Sequence, residues 1–167
     1  MSVADVVILR ATPDDAEALS EYVNALADEN LKQLSGLRPS PQEERDFLHK
    51  ASENKRALVL IALDDARIVG VLDLWPGDRV YNRHAGRLGM TVLTPYRRNG
   101  IGRKLLEIAI DEAKKHDLNR IELEVVTWNQ PAIRLYESHG FVREGTKQRG
   151  AIFKGEPMDL LLMALVW

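Results

Sequence analysis

The chain contains no cysteine in its 167 residues. Disulfides, thiolate metal sites and a cysteine nucleophile are therefore excluded, and a cytoplasmic setting is expected. Basic residues are not in excess either: 23 Lys and Arg stand against 25 Asp and Glu, a formal net charge of −2. A general nucleic-acid binder carries a cationic excess over a whole face, so no nucleic-acid partner is expected. The longest strongly apolar stretch, LLLMALVW at 160–167, falls far short of the roughly 20 residues that cross a bilayer. The opening MSVADVVILR has no charged segment ahead of its short apolar run, which is not the pattern of a signal peptide. Internal repeats, low-complexity tracts and long linkers are missing, and nothing among the 4 histidines clusters as metal ligands. These absences leave a soluble protein of one expected domain, residues 1–167, of a size that buries roughly 70% of its unfolded surface without staples.

The hydrophobic period changes along the chain. Residues 6–10 read as a short buried strand. Thr12-Pro13-Asp14-Asp15 reads as a helix start, followed by Ala16, Leu19, Val23 and Leu26 on one face. Leu34-Ser35-Gly36 and Pro39 break that helix, and Ser40-Pro41-Gln42-Glu43 opens a second with capping-box spacing, running to about Asn54. Residues 57–63 and 67–75 flank Asp64-Asp65-Ala66 as a hairpin, and Pro76-Gly77-Asp78 turns the chain. Residues 85–93 form a strand whose Gly86 and Gly89 point to a bulge or a close backbone approach. A helix to about His116, a strand at 120–126, a short helix at 131–139 and strands at 141–147 and 159–166 complete the order. Long hairpins around one β-α-β unit make this an α/β (α+β) protein. A mixed, mostly antiparallel sheet of about seven strands with helices on its faces is expected.

The stretch RRNGIGRK at 97–104 sits between a strand and a helix. The first amides of a helix are unpaired and its dipole is positive at that end. Gly100 and Gly102 let a ligand approach the backbone, and Arg97, Arg98, Arg103 and Lys104 supply charge for more than one phosphate. The dinucleotide fingerprint is incomplete, since Leu105 stands at its third glycine, and no nucleotide P-loop occurs. Spacing alone leaves a phosphate cradle and a solvated basic turn both open.

A second stretch, NQPAIRLYESHGF at 129–141, decides between them. R-x-x-G-x-G followed, after a helix and a strand, by N-x-x-A-x-x-L-Y-x-x-x-G-F resembles the GNAT superfamily of acyl-CoA N-acyltransferases. Arg97, Gly100, Gly102, Asn129, Ala132, Leu135, Tyr136, Gly140 and Phe141 carry the match, and ILRATPDDAEAL resembles the usual opening of the family. The resemblance implies an acetyl-CoA-dependent N-acetyltransferase whose parallel strands 85–93 and 120–126 splay apart. The pyrophosphate is then expected on Arg97, Arg98, Asn99, Gly100, Ile101, Gly102 and Arg103. The pantetheine arm is expected along the backbone of Met90, Thr91 and Val92, with Asn129 and Ala132 also contacting the coenzyme.

The reaction implied is direct attack of an amine on the thioester, with no covalent enzyme intermediate. Tyr136 matches the position of the general acid for the leaving thiolate. For the base, Glu122 and Glu124 alternate with Ile121, Leu123 and Val125. L-E-V ahead of the asparagine resembles the ribosomal-protein N-acetyltransferases, where that glutamate is the base, here Glu124; it would act if burial raised its pKa. His84 and a water relay stay open as alternatives. His116 and His139 end helices and His49 lies on a polar one. The tail resembles the branch acting on ribosomal-protein N-termini, polyamines and free amino acids. The acceptor is expected to be a small-molecule or peptide amine, selected by the first two helices and the 76–84 loop. Glu43, Glu44 and Asp46 there favour a polyamine, while Arg45, Arg79 and Arg83 suit a carboxylate-bearing amino acid. A homodimer is expected from the apolar run that ends in Trp167.

Overall fold

The computed structural model describes residues 6–29 and 37–167. Its strands are β1 (Val7–Arg10), β2 (Leu58–Asp64), β3 (Arg67–Pro76), β4 (Ala85–Val92), β5 (Arg120–Val126), β6 (Val142–Phe153) and β7 (Glu156–Val166), and its helices α1 (Ala16–Asp28), α2 (Pro41–Glu53), α3 (Ile101–Lys115) and α4 (Gln130–Ser138). The strands form one seven-stranded sheet in the order β1-β2-β3-β4-β5-β7-β6. Every neighbouring pair is antiparallel except β4 and β5. The expected element order and the mixed sheet are both present.

Local chemistry accounts for the helix starts. Thr12 N–H donates to Asp15 Oδ2 at 2.7 Å and opens a 3-10 turn, Pro13–Asp15, that leads into α1. Ser40 N–H donates to Glu43 Oε2 at 2.7 Å while Glu43 N–H donates to Ser40 Oγ at 3.3 Å, the reciprocal cap expected for α2. The expected helix break at Leu34-Ser35-Gly36 lies outside the described residues.

Two apolar clusters lie on opposite faces of the sheet. On one face α3 and α4 bring Leu105, Leu106, Ala109, Ile133 and Tyr136 against Leu72, Leu88, Ile121 and Leu123. On the other, α1 and α2 bring Leu19, Tyr22, Leu26 and Leu48 against Val59, Ile61 and Ile68. Strand β2 serves both clusters, which is why ALVLIAL is apolar without alternation.

Three readings are corrected. Strand β1 is an edge with Val7 and Leu9 about half exposed rather than buried, since among the described residues nothing lies beyond it in the sheet. The last two strands are far longer than 141–147 and 159–166 and meet at a turn through Lys154 and Gly155. The polar residues of β6 hid it, because an exposed edge strand has no buried face to impose apolar alternation. The apolar run at 160–167 falls mostly in β7, which lies inside the sheet between β5 and β6 and is not an edge.

Strands β3 and β4 keep register from Gly70↔Val92 to Pro76↔Gly86 with no bulge, so the glycines of β4 mark close approach. A Cβ on Gly86 would meet Leu74 Cδ1 at 2.8 Å and Leu118 Cδ1 at 3.1 Å. Both leucines are fully buried and cannot yield freely. Gly86→Ala is expected to lower stability by about 1–3 kcal/mol through overpacking, read as a shift in the urea midpoint.

Candidate active site

Strands β4 and β5 pair only through Ala85↔Arg120, Gly86↔Ile121 and Arg87↔Glu122. Beyond that point β4 stays bonded to β3, and β5 stays bonded to β7 along its whole length. The two strands therefore part, and a cleft of about 940 Å³ opens between them. Residues 88–92 of β4 and 124–126 of β5 form its walls, the 97–103 segment its mouth, and α4 with the β6–β7 hairpin its far side.

The mouth is held by its own side chains. Arg97 Nε donates to Val92 O at 2.8 Å, and its Nη2 lies 3.6 Å from Glu29 Oε2. Glu29 also accepts from Thr94 N at 2.7 Å and from Thr94 Oγ1 at 2.9 Å. Arg97 thus fastens the loop to the end of β4 and to α1, in addition to lining the cleft. Arg98 and Arg103 line the cleft and are exposed, as ligand-facing cations should be. Asn99 does not line it; its amide donates to Tyr96 O at 3.4 Å.

Gly100 caps α3 with φ +80°, a left-handed conformation that glycine adopts without strain. The amides of Ile101, Gly102 and Arg103 follow in the first turn, where the helix supplies no carbonyl partner. A Cβ on Gly102 would meet only ordinary contacts, Leu135 Cδ2 at 3.5 Å and Met90 Cε at 3.5 Å. The missing side chain is therefore not demanded by the protein's own packing. Its absence keeps the helix start open to the cleft, and that fits a pyrophosphate.

Along the wall, Met90 and Val92 send their side chains toward α3 and α4, while Thr91 points to the opposite face and its Oγ1 lies 3.0 Å from Tyr22 Oη. Their backbone lines the cleft. Asn129 caps α4 by accepting from Ala132 N at 3.4 Å, so the two residues expected near the coenzyme are bonded to each other. Tyr136 is buried, its ring stacked at a tilt on Phe141 with centroids 5.5 Å apart. Its hydroxyl has no hydrogen-bond partner among the described residues, and burial pushes its pKa up to about 12. A phenol of that kind keeps its proton at neutral pH and can direct it at sulfur as negative charge develops there.

The expected bases fare differently. Glu124 lines the cleft but is exposed, with Lys147 Nζ 3.5 Å from its Oε1. The burial required of it is not there, because among the described residues no helix packs on its face of β5. Glu122 is paired with Arg120 at 3.1 Å. His84 is exposed just before β4, at the end where β4 and β5 are still paired and away from the cleft. The 76–84 loop, with Arg79 and Arg83, lies at that same end, whereas residues of the β6–β7 hairpin line the cleft. The acidic residues of α2 are locally engaged: Glu43 in the cap, Asp46 accepting from Gln42 at 2.8 Å, and Glu44 buried.

One residue was missed. Asp73 sits on β3 directly opposite Gly89, on the same face as Val71 and Trp75. A Cβ on Gly89 would stand 2.8 Å from Asp73 Oδ1, so the carboxylate lies over the bare backbone of β4. Burial pushes its pKa up to about 6, against the opposing effect of hydrogen bonds from its own backbone and from Trp75. The available signal was a lone carboxylate inside the apolar run IVGVLDLW.

The sequence profile of the GNAT acetyltransferase family matches residues 23–141. The L-amino acid N-acetyltransferase AaaT of Escherichia coli is 29% identical over 164 residues, covering 98% of this chain and 99% of that protein. The [ribosomal protein bS18]-alanine N-acetyltransferase of Escherichia coli is 50% identical over 54 residues, 32% of this chain and 36% of that one. A crystal structure of a GNAT-family acetyltransferase from Streptococcus pneumoniae superposes with a TM-score of 0.90 at 32% identity, covering 96% of this chain and 98% of that one. The chain belongs to the GNAT acetyltransferase family. It is an acetyl-CoA-dependent N-acetyltransferase, with acetyl-CoA as co-substrate.

The free space at Gly102 yields a sharp expectation. Gly102→Ala should leave the melting temperature unchanged or higher, since Ala favours a helix over Gly by about 1 kcal/mol. Coenzyme A affinity by calorimetry should nevertheless fall about tenfold or more, because the new methyl group occupies the cradle.

Proposed function

We propose that the protein transfers the acetyl group of acetyl-CoA to the primary amine of a small molecule, with a free amino acid as the favoured acceptor. The cleft between β4 and β5 carries this reading. It has a cationic mouth at a helix start, a narrow end between two strands, and a proton-bearing phenol beside it. Phosphates bind at Gly100–Arg103, and the thioester end lies toward Leu88 and Met90 at the closed end. Tyr136 protonates the departing sulfur.

Two observations favour an amino acid over a polyamine. The acidic side chains of α2 that would attract a polycation are consumed locally or buried. AaaT, whose name gives an amino-acid acceptor, aligns along nearly the whole of both chains. The bS18-alanine enzyme aligns over about a third of each chain, which keeps a peptide N-terminus as the second reading. Release of free thiol from acetyl-CoA, measured across L-amino acids, polyamines and short peptides, separates these acceptors. Turnover confined to peptides or polyamines would reject the amino-acid reading.

Tyr136→Phe keeps the ring and its packing on Phe141 while removing the hydroxyl. Single-turnover transfer should slow by about 10²–10⁴-fold, with coenzyme A affinity nearly intact. Single turnover is the proper measurement because slow product release can mask a chemical defect in kcat. An unchanged rate would make the tyrosine a packing residue only.

A further inference from the structure

We propose that Asp73 receives the acceptor amine and takes its proton. The inference rests on the reading of this protein as an amine acetyltransferase and names the group that prepares the nucleophile.

The carboxylate is placed where the two substrates must meet. Its Cα partner across the ladder is Gly89, which lines the cleft at the point where β4 and β5 have just parted. A coenzyme with its phosphates at Gly100–Gly102 and its arm along Met90–Val92 brings its thioester toward that position. Alternation puts Asp73 on the face covered by α1 and α2, so the amine arrives from the side of the sheet opposite α3 and α4. At Gly89 no side chain intervenes between the carboxylate and the strand. Asp73 is mostly buried but not sealed, so a small ammonium group can reach it.

Among the described residues the carboxylate also has no cation paired with it. On its face lie Arg87 and Thr91, two positions either side of Gly89 on β4, with Tyr22 of α1 on Thr91, Lys50 of α2 over Trp75, and Glu122 of β5 opposite Arg87 with Glu124 two residues on. Lys50 lies over the Trp75 ring at 5.7 Å, Tyr22 is bonded to Thr91, Glu122 to Arg120 and Glu124 to Lys147. Burying a carboxylate without a counter-charge is unfavourable even with its hydrogen bonds from Trp75 and its own backbone, and an incoming ammonium supplies the missing charge. The same burial raises its affinity for protons toward neutrality.

The protons balance. In passing from ammonium to amide the acceptor nitrogen sheds two. One goes to an Asp73 oxygen and then to solvent, leaving the lone pair that bonds to the acetyl carbon as the C–S bond breaks. The other replaces the proton that Tyr136 gives to sulfur.

The test uses the full chain with saturating acetyl-CoA and an amino-acid acceptor. With Asp73 as base, kcat/KM for the amine rises with pH as the carboxylate deprotonates, giving an acidic limb near 6. Asp73→Asn should abolish that limb and lower kcat/KM for the amine by about 10²-fold or more, with acetyl-CoA affinity by calorimetry unchanged. Gly89→Ala should retain the limb but raise KM for the amine, since its methyl group crowds Oδ1 without removing the carboxylate. Retention of rate and limb in Asp73→Asn overturns the proposal while leaving the acetyltransferase reading intact. So does loss of the limb in Glu124→Gln with its retention in Asp73→Asn. A wild-type protein that binds acetyl-CoA but acetylates no primary amine overturns both.

Discussion

The separation of β4 from β5 is the feature on which the rest of the site depends. Each strand has a full antiparallel partner on its outer side, β3 for β4 and β7 for β5, and the two share only three residue pairs. The β3–β4 and β5–β7 ladders are thus joined at one end and free at the other. A parallel ladder broken in this way exposes backbone amides and carbonyls of β4 that lack a strand partner, and such groups must find one elsewhere. In the binding mode proposed above, an extended, amide-bearing arm laid along Met90–Val92 would supply it and complete the ladder.

The closed end of the cleft needs tight packing, and the open end needs a fixed mouth. Gly86 lets Leu74 and Leu118 close over the paired end, which holds the apex of the V in place. At the other end Glu29 of the first helical segment holds Thr94 and Arg97, and Arg97 in turn holds the last carbonyl of β4. A charged loop with loose arginines would bind phosphate at the cost of ordering them first. With one arginine anchored internally, Arg98 and Arg103 line the cleft on a backbone already shaped by Gly100, which suits the proposed phosphate site.

Much of this was legible before any coordinates. The glycine spacing, the cap at Asn129 and the tyrosine seven residues later occupy local positions on a strand-loop-helix and a short helix, and local positions are what spacing encodes. The element order followed because long apolar runs and helix caps are strong local signals. What escaped reading was set by pairing across the sheet. Strand β6 has no buried face over most of its length, so its residues carry no period-2 pattern, and its partner β7 defines it. Asp73 is by sequence a lone carboxylate in an apolar strand, and only the register sets it opposite Gly89. Glu124 drew notice through a family motif, yet the helices that could have buried it cover β2 and β3 instead. Burial of a polar side chain is a tertiary property, and sequence spacing does not carry it.

The positions of Asp73 and Tyr136 on opposite faces of one sheet have a chemical consequence. A carboxylate and a phenol in direct contact would hydrogen-bond to each other and leave neither free for substrate. Here the phenol sits in the α3–α4 cluster and the carboxylate on the α1–α2 face, with β4 between them. Each is desolvated by its own surroundings, and neither appears as an influence on the other's protonation. The sheet keeps the two groups apart, and Gly89 makes it thin at the place where a thioester and an amine have to touch. The same glycine that lets the carboxylate lie on the strand therefore also sets how near the nucleophile can come.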